Sequence, residues 1–459
     1  MGLSLSLRTG LAPGSSGFPD WLLPQVAGNG IQYELTRDQY WLGSGLTARA
    51  NVLSDTRNSD ALFDNTAGVY STFAANVPAI TDRGLYPGGE RTNLFLNNTA
   101  PVTQTITLSA TGNYTLSVHG SGSVAVAANT ATITGAGTAS DGTDIVINCT
   151  ATGTVNCTVT GSPDYVQLEK GSFASPPIVT EGAAATRLAD SIVNPNYAAH
   201  AAAFGFASGM AALARVNLTR LSDGATRRIV SLGNTTDGAY IEFTSTNTFR
   251  AILRKGGVDV VTLTSGTVGA TGVYDVTAQF KAGAYGLWVT DPNGDPVDVF
   301  GPELFDASSG VSVSTGIVQS GTSNDFTLTA AGVNNSGIIK DTGLTAYAGL
   351  PLLTSFEVYD YVSGVVAIRS QGVNLTDRNT NGIFTQAITG LGSGDFFGVE
   401  VRSTSTLKIR NLSVRQITNT LASAETLPAA IASAAYIGQK EDVTLHTESP
   451  LERLAMWGV

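Results

Sequence analysis

The sequence predicts an all-β protein built from several two-layer sandwiches, and three observations carry that expectation. Only 13% of its 459 residues are charged, about half the usual share, while 42% are hydrophobic, which is not the composition of a disordered chain. Gly occurs 52 times, and Thr and Ser fill most other polar positions. Thr, Val and Ile between Gly turns suit a pleated, half-buried surface. Apolar residues also recur at every second position in short runs closed by Gly, Asn or Pro. A chain of this length exceeds one ordinary core, so two to four domains are expected.

Residues 1–54 read as an N-terminal anchoring arm. Gly10, Pro13, Gly14 to Gly17 and Pro19 break its first part, yet Trp21, Leu22 and Leu23 form an apolar cluster, followed by Tyr33, Tyr40 and Trp41. Large apolar side chains on an extended arm are costly in water, so docking on another subunit or protein is expected. Residues 55–100, with turns at 65–68, Pro78 and 87–89, read as a small β connector.

Residues 101–172 are expected to form a sandwich, with strands over 103–108, 114–119, 123–127, 130–134, 145–149, 155–160 and 165–168. Cys149 and Cys157, the only cysteines, share the core-facing parity. A turn near Gly153 would let them pair across strands, but two buried thiols is the preferred reading for a chain assembled in a reducing cytoplasm.

A linker over 173–195 follows, because Gly171 and Pro176-Pro177 stop any ladder. Residues 196–307 plus 421–459 form the next sandwich. Strands are expected at 210–218, 228–233, 239–244, 248–255, 258–264, 273–280 and 285–290, running consecutively antiparallel, with a hairpin turn at Pro292-Asn293-Gly294-Asp295. The matching last strands come only at 435–438 and 451–457. Residues 308–420 therefore read as a further sandwich inserted into a surface hairpin, with RNLSVRQI (410–417) standing where DYVQLEKG (164–171) stood before.

Two patches carry a family resemblance. One is QLE (167–169), Gly171, a Pro spacer and then GAAATRLAD (182–190); the other is AANVP (74–78), Gly84-Leu85 and ERTNL (90–94). Together they resemble tailed-bacteriophage virion structural proteins of the tail-fibre, spike or head-decoration type, over roughly 55–300 and 425–459. Ala79 stands where that family usually has Arg, and 86–89 replaces an apolar run. The resemblance implies jelly rolls for 101–172 and 308–420. The strand order of 196–307 resembles concanavalin or laminin-G lectin sandwiches. It also implies a non-enzymatic protein assembled in the host cytoplasm and exposed on the virion. Its arm would hold other virion proteins, its sandwiches would engage host surface polysaccharide, and a homotrimer is expected. A glycan-depolymerising tailspike enzyme and a bacterial surface adhesin are the alternatives.

A net charge of −11 and a pI near 4.7 argue against nucleic-acid partners and anionic membrane surfaces. No apolar run reaches the roughly 18 residues of a spanning helix. The start lacks a signal-peptide core; Met1-Gly2 with Ser6 meets an acylation pattern that Ser-rich starts satisfy by chance.

No cofactor is expected, with calcium left open at two oxygen-rich turns. These are Asp291, Asn293, Asp295 and Asp298, and Asp377, Asn379 and Asn381, where Ile388 replaces the closing acid of a calcium loop. Nothing in the sequence brings His119, His200 or His446 to a nucleophile, and no G-x-S-x-G, H-E-x-x-H or P-loop occurs. Glu242 and Glu400 each sit on an expected strand near aromatics, but lie in separate expected domains. Tyr240, Phe243, Tyr285 and Trp288 are candidate sugar platforms, weighed against an ordinary core role.

Overall fold

The computed structural model describes residues 22–459 except 222–223, 306–310, 321–323, 332–336, 342–350, 371–372, 375, 390–395, 418–419, 422 and 440–448. The protein is all-β, with one short α-helix, Tyr197–Ala203, among the described residues. It divides into two compact units. Unit 1 comprises 1–262, 267–297 and 422–459; unit 2 comprises 263–266 and 298–421.

Two sheets of unit 1 form the sandwich that the chain enters first and leaves last. One runs Tyr285–Thr290, Gly272–Phe280, Met210–Leu218, Leu451–Gly458, Gly30–Glu34, Gln39–Leu42 and Gly45–Thr47. The other runs Val258–Ser265, Phe249–Lys255, Gly238–Phe243, Arg227–Gly233, Ala435–Ile437, Ile192–Val193 and Ser54–Asp55. The strands fall within a residue or two of the expected ones, and they pair consecutively within a layer, as from Arg227–Gly233 to Phe249–Lys255 and from Gly272–Phe280 to Tyr285–Thr290, but not from one layer to the other. Met210–Leu218 passes over its sequence neighbour Arg227–Gly233 and pairs with Gly272–Phe280 and Leu451–Gly458. The cause is burial: consecutive pairing would make one sheet with a wet apolar face, whereas crossing between layers turns the two apolar faces inward.

The expected arm needs a correction. Gly30–Glu34 pairs along its length with Leu451–Gly458, so this stretch supplies interior strands of the sandwich. Leu22, Val26 and Trp41 are buried with Ala211, Leu213, Ala455 and Trp457, with Leu23 packed against them. Tyr40 is buried too, edge-on to Tyr33 at 6.0 Å. These side chains are covered by their own chain, so the cost of wet apolar surface that motivated docking elsewhere is already met. Trp21 lies outside the described residues. Residues expected as a connector are likewise absorbed: Gly84–Leu85 meets Leu451, and Arg91–Asn93 lies between Gly153–Lys170 and Ala185–Arg187.

The other module of unit 1 is built on two long bent strands. What reads as four short segments is Gly112–Ala128 paired with Gly153–Lys170. The presumed turn at Gly120-Ser121-Gly122 stays in the ladder as a bulge opposite 161–163. Gly120 sits at φ +90, and a Cβ on Gly122 would come 2.7 Å from Thr160 O. Glycine therefore bends the strand instead of ending it. Leu116, Val124, Ile147, Val155 and Leu168 fill the core with Cys149 and Cys157. The two thiols are free: Cys149 sits opposite Gly112 and Cys157 opposite Val126, on different stretches of one partner strand.

Unit 2 repeats this construction. Pro351–Ser370 pairs with Phe396–Ile417 along nearly its whole length, with register shifts between Ser355 and Glu357 and again between Tyr359 and Val366. Gly364 at φ +106 lies against Ser405, where a Cβ would come 2.1 Å from Oγ. Phe326, Phe356, Val366, Val401 and Ile409 lie in its core.

Candidate functional site

The most chemically loaded exposed surface is one face of unit 2. Its three adjacent strands are Asp325–Ala331, Phe396–Ile417 and Pro351–Ser370, with Asp325 opposite Arg410 and Glu357 opposite the same Arg410. Period-two alternation sends Phe326, Leu328, Phe356, Val358, Leu407 and Ile409 into the core. Asp325, Glu357, Tyr359, Lys408 and Arg410 therefore share the outer face.

A β-bulge sharpens the arrangement. Asn411 takes φ +56, a conformation Asn tolerates. Asn324 then holds the displaced backbone: its Nδ2 donates to Leu412 O at 2.6 Å and its Oδ1 accepts from Leu412 N at 3.1 Å. The bulge lets both Arg410 and Asn411 reach Glu357. Arg410 makes a bidentate pair with that carboxylate (2.7 and 2.8 Å), and Asn411 Nδ2 donates to it at 3.1 Å. These donors, Arg410 first, hold Glu357 below its ordinary pKa.

Tyr359 lies in the middle. Its hydroxyl donates to Asp325, which pushes the phenol up to about 12. Arg410 Cζ stands 4.5 Å from its ring centre and Lys408 Nζ 5.4 Å, while Lys408 also pairs with Asp360 at 2.8 Å. Exposed ion pairs contribute little to stability. What this set offers is an aromatic side chain surrounded by donors and acceptors that are held by one another, an arrangement that suits polyhydroxylated ligands.

The residues singled out in sequence go elsewhere. Tyr240 and Phe243 are core residues; Arg228 lies 3.9 Å over the Tyr240 ring, and buried Glu242 bridges Arg228 and Arg250. Tyr285 is buried as well, so these three offer no platform. Trp288 is half-buried, on the face opposite Leu287 and Val289. Glu400 belongs to unit 2 and Glu242 to unit 1.

At the first oxygen-rich turn, Asp291 Oδ1 accepts from the amides of Asn293 and Asp295, both at 2.9 Å. These bonds, Asp295 first, hold its pKa down. At the second, Asp377 pairs with Arg402 at 3.1 Å, Asn381 accepts from Tyr361 N at 2.8 Å, and Asn379 is exposed. Among the described residues no three His, Cys, Asp or Glu side chains converge as a ligand set. His119 lies 5.8 Å from the Tyr70 ring, His200 meets Asn194 at 3.3 Å, and His446 is outside the described residues.

The two motif patches come together in unit 1 as a buried polar joint. Arg57 is fully buried: Nε donates to Ser59 O (2.9 Å), Nη2 to Ala74 O (3.3 Å) and Val77 O (3.0 Å), and Nη1 reaches Asp55 (3.1 Å) and Asp190. Asp190 also accepts from Gly88 N at 2.6 Å, and Ser191 N donates to Asp55 at 3.1 Å. Asn93 ties Val166 O and Ile178 O together at 3.2 and 3.0 Å. Those motifs are thus used in holding the fold. Sequence reasoning missed Asp55 and Arg57, although a charged D-x-R in so charge-poor a chain was the available signal.

No protein-family model matches this chain, and no curated protein or solved structure matches it significantly.

Proposed function

We propose that the protein is a non-enzymatic display protein that holds carbohydrate on its β modules, with the outer face of unit 2 as a recognition surface. One observation carries this reading: Tyr359 stands on an open sheet among Asp325, Glu357, Asp360, Lys408, Arg410 and Asn411, already locked in mutual hydrogen bonds. Such preorganised groups meet sugar hydroxyls without first losing rotamer freedom. The carboxylate at its centre is kept ionised by Arg410, the reverse of the raised pKa a glycosidic general acid needs.

The resemblance of the two motif patches supplies the setting. In this proposal the protein would sit on the tail or head of a phage particle, as a homotrimer facing host surface polysaccharide. The test is binding of the purified chain to host cells and to their isolated polysaccharide, with reducing-end release measured in parallel. Saturable binding without release, weakened about tenfold by Tyr359→Ala, is the expected result. Release of sugar ends, or binding unaltered in Tyr359→Ala, overturns it.

A further inference from the structure

Unit 1 carries a second polar surface that the reading above does not use. A groove of about 550 Å3 is lined by Glu90, Arg91, Thr92, Asn113, Lys170 and Ser172, with Gly171 between the last two. Its two cations are held differently. Arg91 lays its guanidinium on the Phe173 ring, Cζ 4.6 Å from the centre. Its Nε stands 3.7 Å from Glu169, whose buried carboxylate also accepts from Gln167 at 2.9 Å and Ser175 Oγ at 2.8 Å. That acid is shared among several donors. Lys170 is exposed, and its ammonium has no ion-pair partner among the described residues.

Two glycines lie beside these cations. Gly171 (φ +145) would place a Cβ 3.7 Å from Arg91 Cζ, and Gly112 (φ +111) would place one 3.9 Å from Lys170 Cε. The neighbouring polar groups are fixed: Asn148 Nδ2 donates to Asn113 Oδ1 at 2.7 Å, Asn113 Nδ2 to Ser172 Oγ at 3.1 Å, and Thr115 Oγ1 to Gly171 O at 2.9 Å. Thr92 Oγ1 lies 2.8 Å from Thr186 Oγ1. Glu90, exposed on the rim, adds a negative charge.

The geometry points to a binding site for a carboxylate-bearing sugar residue of an acidic polysaccharide. Its carboxylate would lie between Arg91 and Lys170, and its hydroxyls against Asn113, Thr92 and Ser172. Two cations with amides and hydroxyls match one carboxylate on a polyol. The rim Glu90 and the chain's net charge of −11 disfavour a densely charged polyphosphate. The site is in a different unit from Tyr359 and stands or falls separately from that surface.

The test is calorimetric titration of the full chain with a galacturonic acid trisaccharide, its neutral methyl ester and inorganic phosphate. Lys170→Glu is compared with wild type, and melting confirms that the exposed substitution leaves the fold intact. The acid trisaccharide should bind, the ester and phosphate at least about tenfold more weakly, and Lys170→Glu should lose about tenfold or more for the acid alone. Tyr359→Ala should leave this binding unchanged. No binding of the acid, equal binding of the ester or of phosphate, or an unaltered Lys170→Glu overturns the site.

Discussion

Replacing Arg57 by Met keeps most of the side chain's apolar length but removes the charge that faces both Asp55 and Asp190. It also removes the donors to the carbonyls of Ser59, Ala74 and Val77. All three charged side chains are fully shielded from solvent, with side-chain exposure of 0%. Breaking a pair of this kind strands a buried charge, which costs about 3–5 kcal/mol. The remaining carboxylates can relieve part of that by taking up a proton. Asp55 is already inclined to do so, since burial and then the charge of Asp190 raise it to about 7. The destabilisation in Arg57→Met should therefore be near its full size at pH 8 and distinctly smaller at pH 5. Urea unfolding followed by tryptophan fluorescence reads it directly, because Trp41, Trp288 and Trp457 all belong to unit 1. A loss below about 1 kcal/mol at pH 8, the scale of an exposed pair, or an equal loss at both pH values, would refute the reasoning.

Further outcomes follow from the same geometry. Asp55 binds its proton more tightly folded than unfolded, so its contribution is fully present below the ordinary carboxylate range and is lost as pH rises through about 7. Asp55→Asn should flatten that slope in stability measured from pH 5 to 8; an unchanged slope assigns it to other groups. Cys149 and Cys157 are buried, and burial pushes the Cys157 thiol up to about 12. Neither should react with an aromatic disulfide reagent at pH 8 until urea unfolds unit 1. Rapid labelling of the native protein would contradict the packing.

Much of the fold was legible because strand burial is local information. Met210–Leu218 and Tyr285–Thr290 appear where alternation puts them. Their pairing was not legible. Leu451–Gly458 lies between Gly30–Glu34 and Met210–Leu218, and neither separation in sequence announces it. Glycine was the commonest misleading signal. Gly120 reads as a turn, yet it bends a continuing strand, as Gly364 does in unit 2, because whether a positive-φ residue reverses the chain depends on what lies opposite it. The candidate surface was half legible. FEVYD (356–360) and LKIRN (407–411) each alternate apolar and charged residues. Only the register that sets Glu357 against Arg410, and the bulge at Asn411, assembles them into one face.

Composition and short-range patterning determined by themselves that this chain is mostly β and where most of its strands fall, since both depend on neighbours close in sequence; that Arg227–Gly233 and Gly238–Phe243 are buried on both faces was decided by the layers around them. Only the tertiary structure decided that residues 22–47 complete a sandwich instead of projecting from it, and that scattered motif residues close a buried ionic joint around Arg57. Those outcomes depend on which distant surfaces meet, and the free energy of burying them together is not written in any local stretch of sequence.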